Sequence, residues 1–169
     1  MFTIKQIILI LTLIFCFISC NKELSFKQKS FNKNWVFKSV EDTSWIAANV
    51  PGNVHTDLLK NEIIQDPYYR LNEHDLQWID KKDWLYKTSF LISQLEFDKK
   101  NSYLEFSGLD TYAKVYLNDS LLLISDNMFR SYKVDVKGFL RLGSNDLHIL
   151  FESPINKGIE KREKLGYFP

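Results

Sequence analysis

The side chains that could do chemistry are few. Cys20 follows an apolar stretch and a small residue, Ser19, and its thiol could accept a lipid. Cys16 lies inside that apolar stretch, so no thiol remains beyond Cys20 for a disulfide framework or a thiolate metal site. His55 has only Asp57 near it at ligand spacing, which is too little for a metal; a hydrogen bond at the start of a short helix suits it better. Glu73, beside Asn72, is a carboxyl in a polar loop that could move a proton if a partner group faced it. His74 and His148 read as solvated loop and strand positions, and Asp110 and Arg130 as an ion pair or a backbone cap. No Ser/His/Asp arrangement, glycine-rich phosphate loop or acidic calcium cluster is present, so neither a metal nor a cofactor is expected.

These groups need a scaffold. The 169 residues carry 22 basic and 21 acidic side chains, a balance that gives no long-range field for nucleic acid or an anionic membrane. Residues 1–19 read as a lipoprotein-type export signal: Lys5, then the apolar run Ile7 to Ile18, then Cys20 as the lipidation site. The run is too short to span a bilayer comfortably. This predicts an exported protein, held at the bacterial periplasm or outer membrane through its lipid alone. Residues 20–33 read as a polar tether.

From Trp35 onward the dominant period is two, the signature of half-buried strands. Trp35-Val36-Phe37 opens the first. Trp84, Tyr86, Thr88, Phe90 and Ile92 share one face of a long strand, followed by runs at 103–106, 112–117, 121–124, 132–136 and 147–151. Asn118-Asp119 and Gly143-Ser144-Asn145 are turn signals. One short helix is expected near 53–60, and 66–80 reads as a long loop. The expected architecture is an all-β jelly-roll sandwich over 34–154, with 155–169, helical or irregular, opening a linker.

Several stretches resemble the amino-terminal domain of glycoside hydrolase family 2 β-mannosidases. They are Val50-Pro51-Gly52-Asn53-Val54-His55-Thr56-Asp57, Asp66-Pro67-Tyr68-Tyr69-Arg70-Leu71-Asn72-Glu73, Leu76-Gln77-Trp78-Ile79, Gly108-Leu109-Asp110-Thr111-Tyr112 and Asn127-Met128-Phe129-Arg130. Five segments in family order are specific where each alone is weak. The resemblance implies a galactose-binding-like fold beside a (β/α)₈ barrel whose two glutamates remove terminal β-D-mannose with retention. Such a barrel needs about 250 residues, so this chain reads as a non-catalytic domain stopping before the catalytic glutamates and the downstream domains it would partner.

An Asn-Glu pair marks the acid/base in related barrels, but Glu73 lies in a sandwich loop with no barrel strand before it. A milder role is implied for the 66–78 loop: in family 2 it leans over the barrel mouth, where Asn72, Glu73 and Trp78 could bind β-mannosides, Asn72 by a hydrogen bond and Trp78 by stacking. The competing reading packs Pro67, Tyr68 and Tyr69 onto the sandwich and makes Trp78 interface filler. A stand-alone carbohydrate-binding surface lipoprotein is the alternative function.

Overall fold

The computed structural model describes residues 27–166. The leader expected over 1–19 and the lipidation site Cys20 lie outside the described residues. Every element below belongs to the unit Phe31–Pro169.

The alternating runs form strands because each can bury one face. β1 (Trp35–Ser39), β2 (Ile46–Ala48), β3 (Trp84–Ile92), β5 (Tyr112–Leu117), β6 (Ser120–Ser125) and β8 (Gly143–Glu152) make one six-stranded sheet in the order β2-β1-β3-β8-β5-β6. β4 (Tyr103–Phe106) and β7 (Tyr132–Asp135) pair as a second, two-stranded sheet. All pairings are antiparallel. The inner faces bring Phe37, Trp84, Tyr86, Val115, Leu117 and Ile149 together with Leu104 and Val136 in one buried cluster. Burying each of the larger side chains contributes about 1.5–3 kcal/mol. Phe37 stacks on Tyr86 at 5.2 Å between ring centroids.

The all-β sandwich expected from the sequence is present. β2 escaped the sequence reading because three residues are too few to show alternation, and β8 begins at Gly143, four residues earlier than its hydrophobic pattern announces. Helical structure is also more extensive. Besides α1 (Val54–Lys60), single-turn helices α2 (Asn72–Asp75) and α3 (Gln94–Phe97) interrupt the loops, and α4 (Pro154–Leu165) follows β8. Its start is built by Ser153, whose hydroxyl accepts from the Asn156 N–H, with Pro154 in the first turn. Among the described residues no helix is long and apolar enough to cross a membrane.

Two turns are fixed by side-chain amides. Asn118, at φ 50, gives its Nδ2 to Asn145 Oδ1 at 2.8 Å and to the Phe139 carbonyl at 2.9 Å, and accepts from the Asp146 N–H at 3.0 Å. Asn145 in turn ties Arg141 and Gly143 through 2.7–3.0 Å bonds. Asparagine tolerates the left-handed region, and its amide can replace backbone partners at a turn.

Phe31, within the expected tether, packs on Phe90 at 4.5 Å, and its carbonyl accepts from the Trp35 indole at 2.7 Å. Phe31 is thus joined to the strands it precedes.

Candidate functional site

The segment from α1 to β3 holds the expected site residues. Its first part is α1, capped by Asn53, whose Oδ1 accepts from the Thr56 N–H at 2.9 Å while the Thr56 hydroxyl returns to the Asn53 N–H. The cap falls to Asn53 rather than to His55, which is half-buried within the helix. Gly52 is required just before it: a Cβ there would stand 2.3 Å from the Asn49 carbonyl oxygen.

Asp57 is the group that sequence reasoning passed over. Its carboxylate is fully buried and accepts from the Asn49 N–H at 3.0 Å and the Asn49 side-chain amide at 2.7 Å. The Tyr86 hydroxyl reaches its other oxygen at 3.5 Å. Burial, then the charge and hydrogen bond of Asp57, push the Tyr86 hydroxyl pKa well above the usual tyrosine range. This is a structural clamp between β2, α1 and β3. The only signal for it is a charged residue on the apolar side of the helix, next to Leu58.

The 66–78 segment is more ordered than a loop. Asp66 Oδ1 accepts from the Tyr68 N–H at 2.9 Å, and the Asp66 carbonyl accepts from the Tyr69 N–H at 3.1 Å and the Asn72 Nδ2 at 2.8 Å. The Asn72 N–H closes a second turn onto the Tyr69 carbonyl at 3.2 Å. Gln77 Nε2 then donates to the Glu73 carbonyl at 3.0 Å. At the base, the Trp84 indole donates to the Ile79 carbonyl at 3.0 Å, and Ile79 is buried.

This geometry separates the three predicted binding residues. Asn72 spends an amide donor on its own loop. Trp78, half-buried, sets its ring at a tilt against Trp84 at 6.2 Å between centroids, with the Lys82 ammonium 5.5 Å from its own centroid, an arrangement that holds the loop base. Glu73 is exposed, and its carboxylate takes no hydrogen bond among the described residues. The packing expected of Tyr68 and Tyr69 is not found. Pro67 is half-buried, whereas Tyr68 and Tyr69 are 95% and 57% exposed, because the Asp66 turn aims them outward.

Elsewhere, Asp110 and Arg130 form no ion pair with each other among the described residues; the Asp110 carboxylate accepts from the adjacent Thr111 hydroxyl instead. His148 is not a solvated position. Its Nε2 is buried without a partner on the outer face of the sheet, opposite Lys87 and Tyr116. Among the described residues no group of three or more His, Cys, Asp or Glu could hold a metal. A cleft of about 130 Å³ lined by Asp83, Glu152, Ser153, Asn156, Lys157 and Glu160 is far below the roughly 300 Å³ where ligand pockets begin.

The jelly roll with this loop has known counterparts. The glycosyl hydrolase 2 galactose-binding domain-like family model matches residues 35–169. The chain belongs to this family. A β-mannosidase B of Aspergillus terreus is 39% identical to the family 2 domain over 145 residues, covering 83% of this chain and 17% of the relative. A probable β-mannosidase of Caenorhabditis elegans is 38% identical over 129 residues, covering 76% and 14%. The crystal structure of the β-D-mannosidase from Dictyoglomus thermophilum superposes with a TM-score of 0.75 at 40% identity, over 79% of this chain and 16% of that one. The exo-chitosanase of Amycolatopsis orientalis shares the fold alone, at 20% identity and TM-score 0.62. The family 2 domain thus spans about one sixth of the length of these relatives.

Proposed function

We propose that the family 2 domain is the non-catalytic amino-terminal sandwich of a β-mannosidase-like glycoside hydrolase that removes terminal β-D-mannose from oligosaccharides. What carries the reading is the 40% identity to a β-D-mannosidase structure, confined to 16% of that chain. Retaining hydrolysis takes two carboxyls about 5–5.5 Å apart across the scissile bond, and a (β/α)₈ barrel supplies them from strand ends. The domain's part is to support that barrel and to line its sugar subsite with the 66–78 loop. Of the three candidate contacts, Glu73 has the free acceptor for a sugar hydroxyl, while Asn72 and Trp78 hold the loop in shape. Export and lipidation at Cys20 belong to the same proposal; incorporation of labelled fatty acid, abolished in Cys20→Ser, is the expected result.

The test is hydrolysis of an aryl β-mannoside. The 169-residue chain should release no aryl alcohol, and the full-length gene product should release it. Turnover by the short chain would overturn the non-catalytic role, and an inactive full-length product would overturn the enzyme assignment.

A further inference from the structure

Three consecutive carbonyls at the foot of the 66–78 loop are each taken by a side chain from outside it. The Trp84 indole donates to Ile79 at 3.0 Å, the Ser153 hydroxyl to Asp80 at 2.6 Å and the Asn156 side-chain amide to Lys81 at 3.0 Å. The last two donors stand 73 and 75 residues from their acceptors, where β8 passes into α4, so no local turn accounts for them. Ser153 is the pivot of this junction. It is only 1% exposed, and its N–H donates to Asp83 Oδ1 at 2.7 Å. Its hydroxyl also accepts from the Asn156 N–H at 3.1 Å. A serine hydroxyl has one proton to give, and here it goes to the Asp80 carbonyl.

From this foot a ladder of backbone bonds climbs to Glu73. The Lys81 N–H donates to the Trp78 carbonyl at 3.2 Å, the Ile79 N–H to the Leu76 carbonyl at 3.0 Å and the Leu76 N–H to the Glu73 carbonyl at 3.3 Å. The Gln77 side-chain amide adds a second bond to the Glu73 carbonyl. These backbone bonds span three residues each, a geometry poorer than that of an α-helix, and so short a run has little stability of its own. Ile79 is the only fully buried residue between Glu73 and Lys81. The ladder therefore takes its orientation from the anchors at its foot.

We infer that Ser153 and Asn156 are positioning residues for Glu73: by pinning the Asp80 and Lys81 carbonyls, the junction of β8 and α4 fixes where the loop holds that carboxylate. The pinning stands on the geometry alone. Its consequence for sugar binding rests on the proposal that the loop lines a β-mannoside subsite.

The experiment reads the two parts separately. In the 169-residue chain, amide hydrogen exchange at Leu76, Ile79 and Lys81 should be about tenfold faster in Ser153→Ala, because local opening no longer breaks the Asp80 bond. Asn156→Asp keeps the shape, removes the donor to Lys81 and suits the first turn of α4, so it should accelerate the same amides without loosening the helix. Asn145→Ala, at the opposite end of β8, is the control and should leave these amides unchanged while lowering overall stability. Unchanged exchange in Ser153→Ala and Asn156→Asp would overturn the inference. So would equal acceleration in Asn145→Ala, which would reduce the effect to general loosening. In the full-length gene product, Ser153→Ala and Glu73→Ala should each raise KM for an aryl β-mannoside about fivefold or more at nearly constant kcat. Ser153→Ala should add no further rise in the Glu73→Ala background. Additive increases, or a KM raised by Ser153→Ala alone, would show that the junction does not act through Glu73. A wild type that cleaves no β-mannoside would sink the assigned activity and leave the pinning, read by exchange, in place.

Discussion

Asp57 takes two hydrogen bonds from one residue, Asn49, through the backbone N–H at 3.0 Å and the side-chain amide at 2.7 Å. The pair ties the end of β2 to the middle of α1, and Lys60 Nζ adds a bond to Asn49 Oδ1 at 3.0 Å. A buried acceptor removed from such a pair leaves its donors unsatisfied, at about 1–3 kcal/mol each. Asp57→Ala is expected to lower the stability of the domain by about 3 kcal/mol, and Asp57→Asn, which keeps an acceptor oxygen, by less. Urea unfolding measures both; equal losses for the two variants would show that the clamp is not what matters.

Gly52→Ala tests the same corner from the backbone side. The added Cβ meets a carbonyl oxygen, which cannot swing away as a side chain can. A loss of about 2 kcal/mol or more is expected. Its coupling to Asp57→Ala in a double-mutant cycle should be non-additive, because both act on Asn49.

Asn118 and Asn145 share a hydrogen bond at 2.8 Å within one network. Asn145→Ala should cost about 2–3 kcal/mol, since it orphans groups of Arg141, Gly143 and Asn118. With Asn118 already replaced by Ala, the further loss should be smaller by about 1 kcal/mol or more. Additive losses would count against a single network.

Strands were readable before the structure only where side chains alternate, and their order in the sheet was not. The period-two runs of β3 and β5 identified their buried faces, and the turn residue Asn118 fell where the chain reverses, whereas Gly143-Ser144-Asn145, expected as a turn, opens β8. What stayed hidden depends on partners distant in sequence. The burial of Asp57 follows from donors on another element, and the outward aim of Tyr68 follows from a side-chain turn at Asp66. Hydrophobicity alone would place that tyrosine inside. Among the candidate site residues, position along the loop was legible, but which side chains remain free was not, because Asn72 and Trp78 are consumed by contacts with Asp66 and Trp84.

The imidazole of His148 sets a pH dependence. Burial, then the charge of Lys87, lowers its pKa below the ordinary 6.5, against the opposing pull of Asp146 and Asp119. The unfolded chain therefore binds the proton more readily than the folded one. Stability contributed by neutral His148 is complete above 6.5 and is lost as pH falls through that value toward the lowered one. His148→Gln should flatten the decline in urea midpoint between about pH 7.5 and about pH 5.5. A variant as acid-sensitive as wild type would place the proton uptake elsewhere.

Trp78→Ala should destabilise the isolated domain by about 2 kcal/mol, through lost contact with Trp84 and the loop base. Calorimetry of the pure domain reads this directly. An unchanged melting temperature would return Trp78 to the surface and reopen its use as a stacking platform.

The last strand among the described residues, β8, occupies the middle of the large sheet, between β3 and β5. While the chain emerges from the ribosome, the β1–β3 ribbon and the β5–β6 hairpin have no common neighbour until residues 143–152 have left the exit tunnel. Both ribbons meanwhile offer open hydrogen-bonding edges to other nascent copies. Translation that halts anywhere before Gly143 would leave a product unable to mature, for chaperones to hold or proteases to clear.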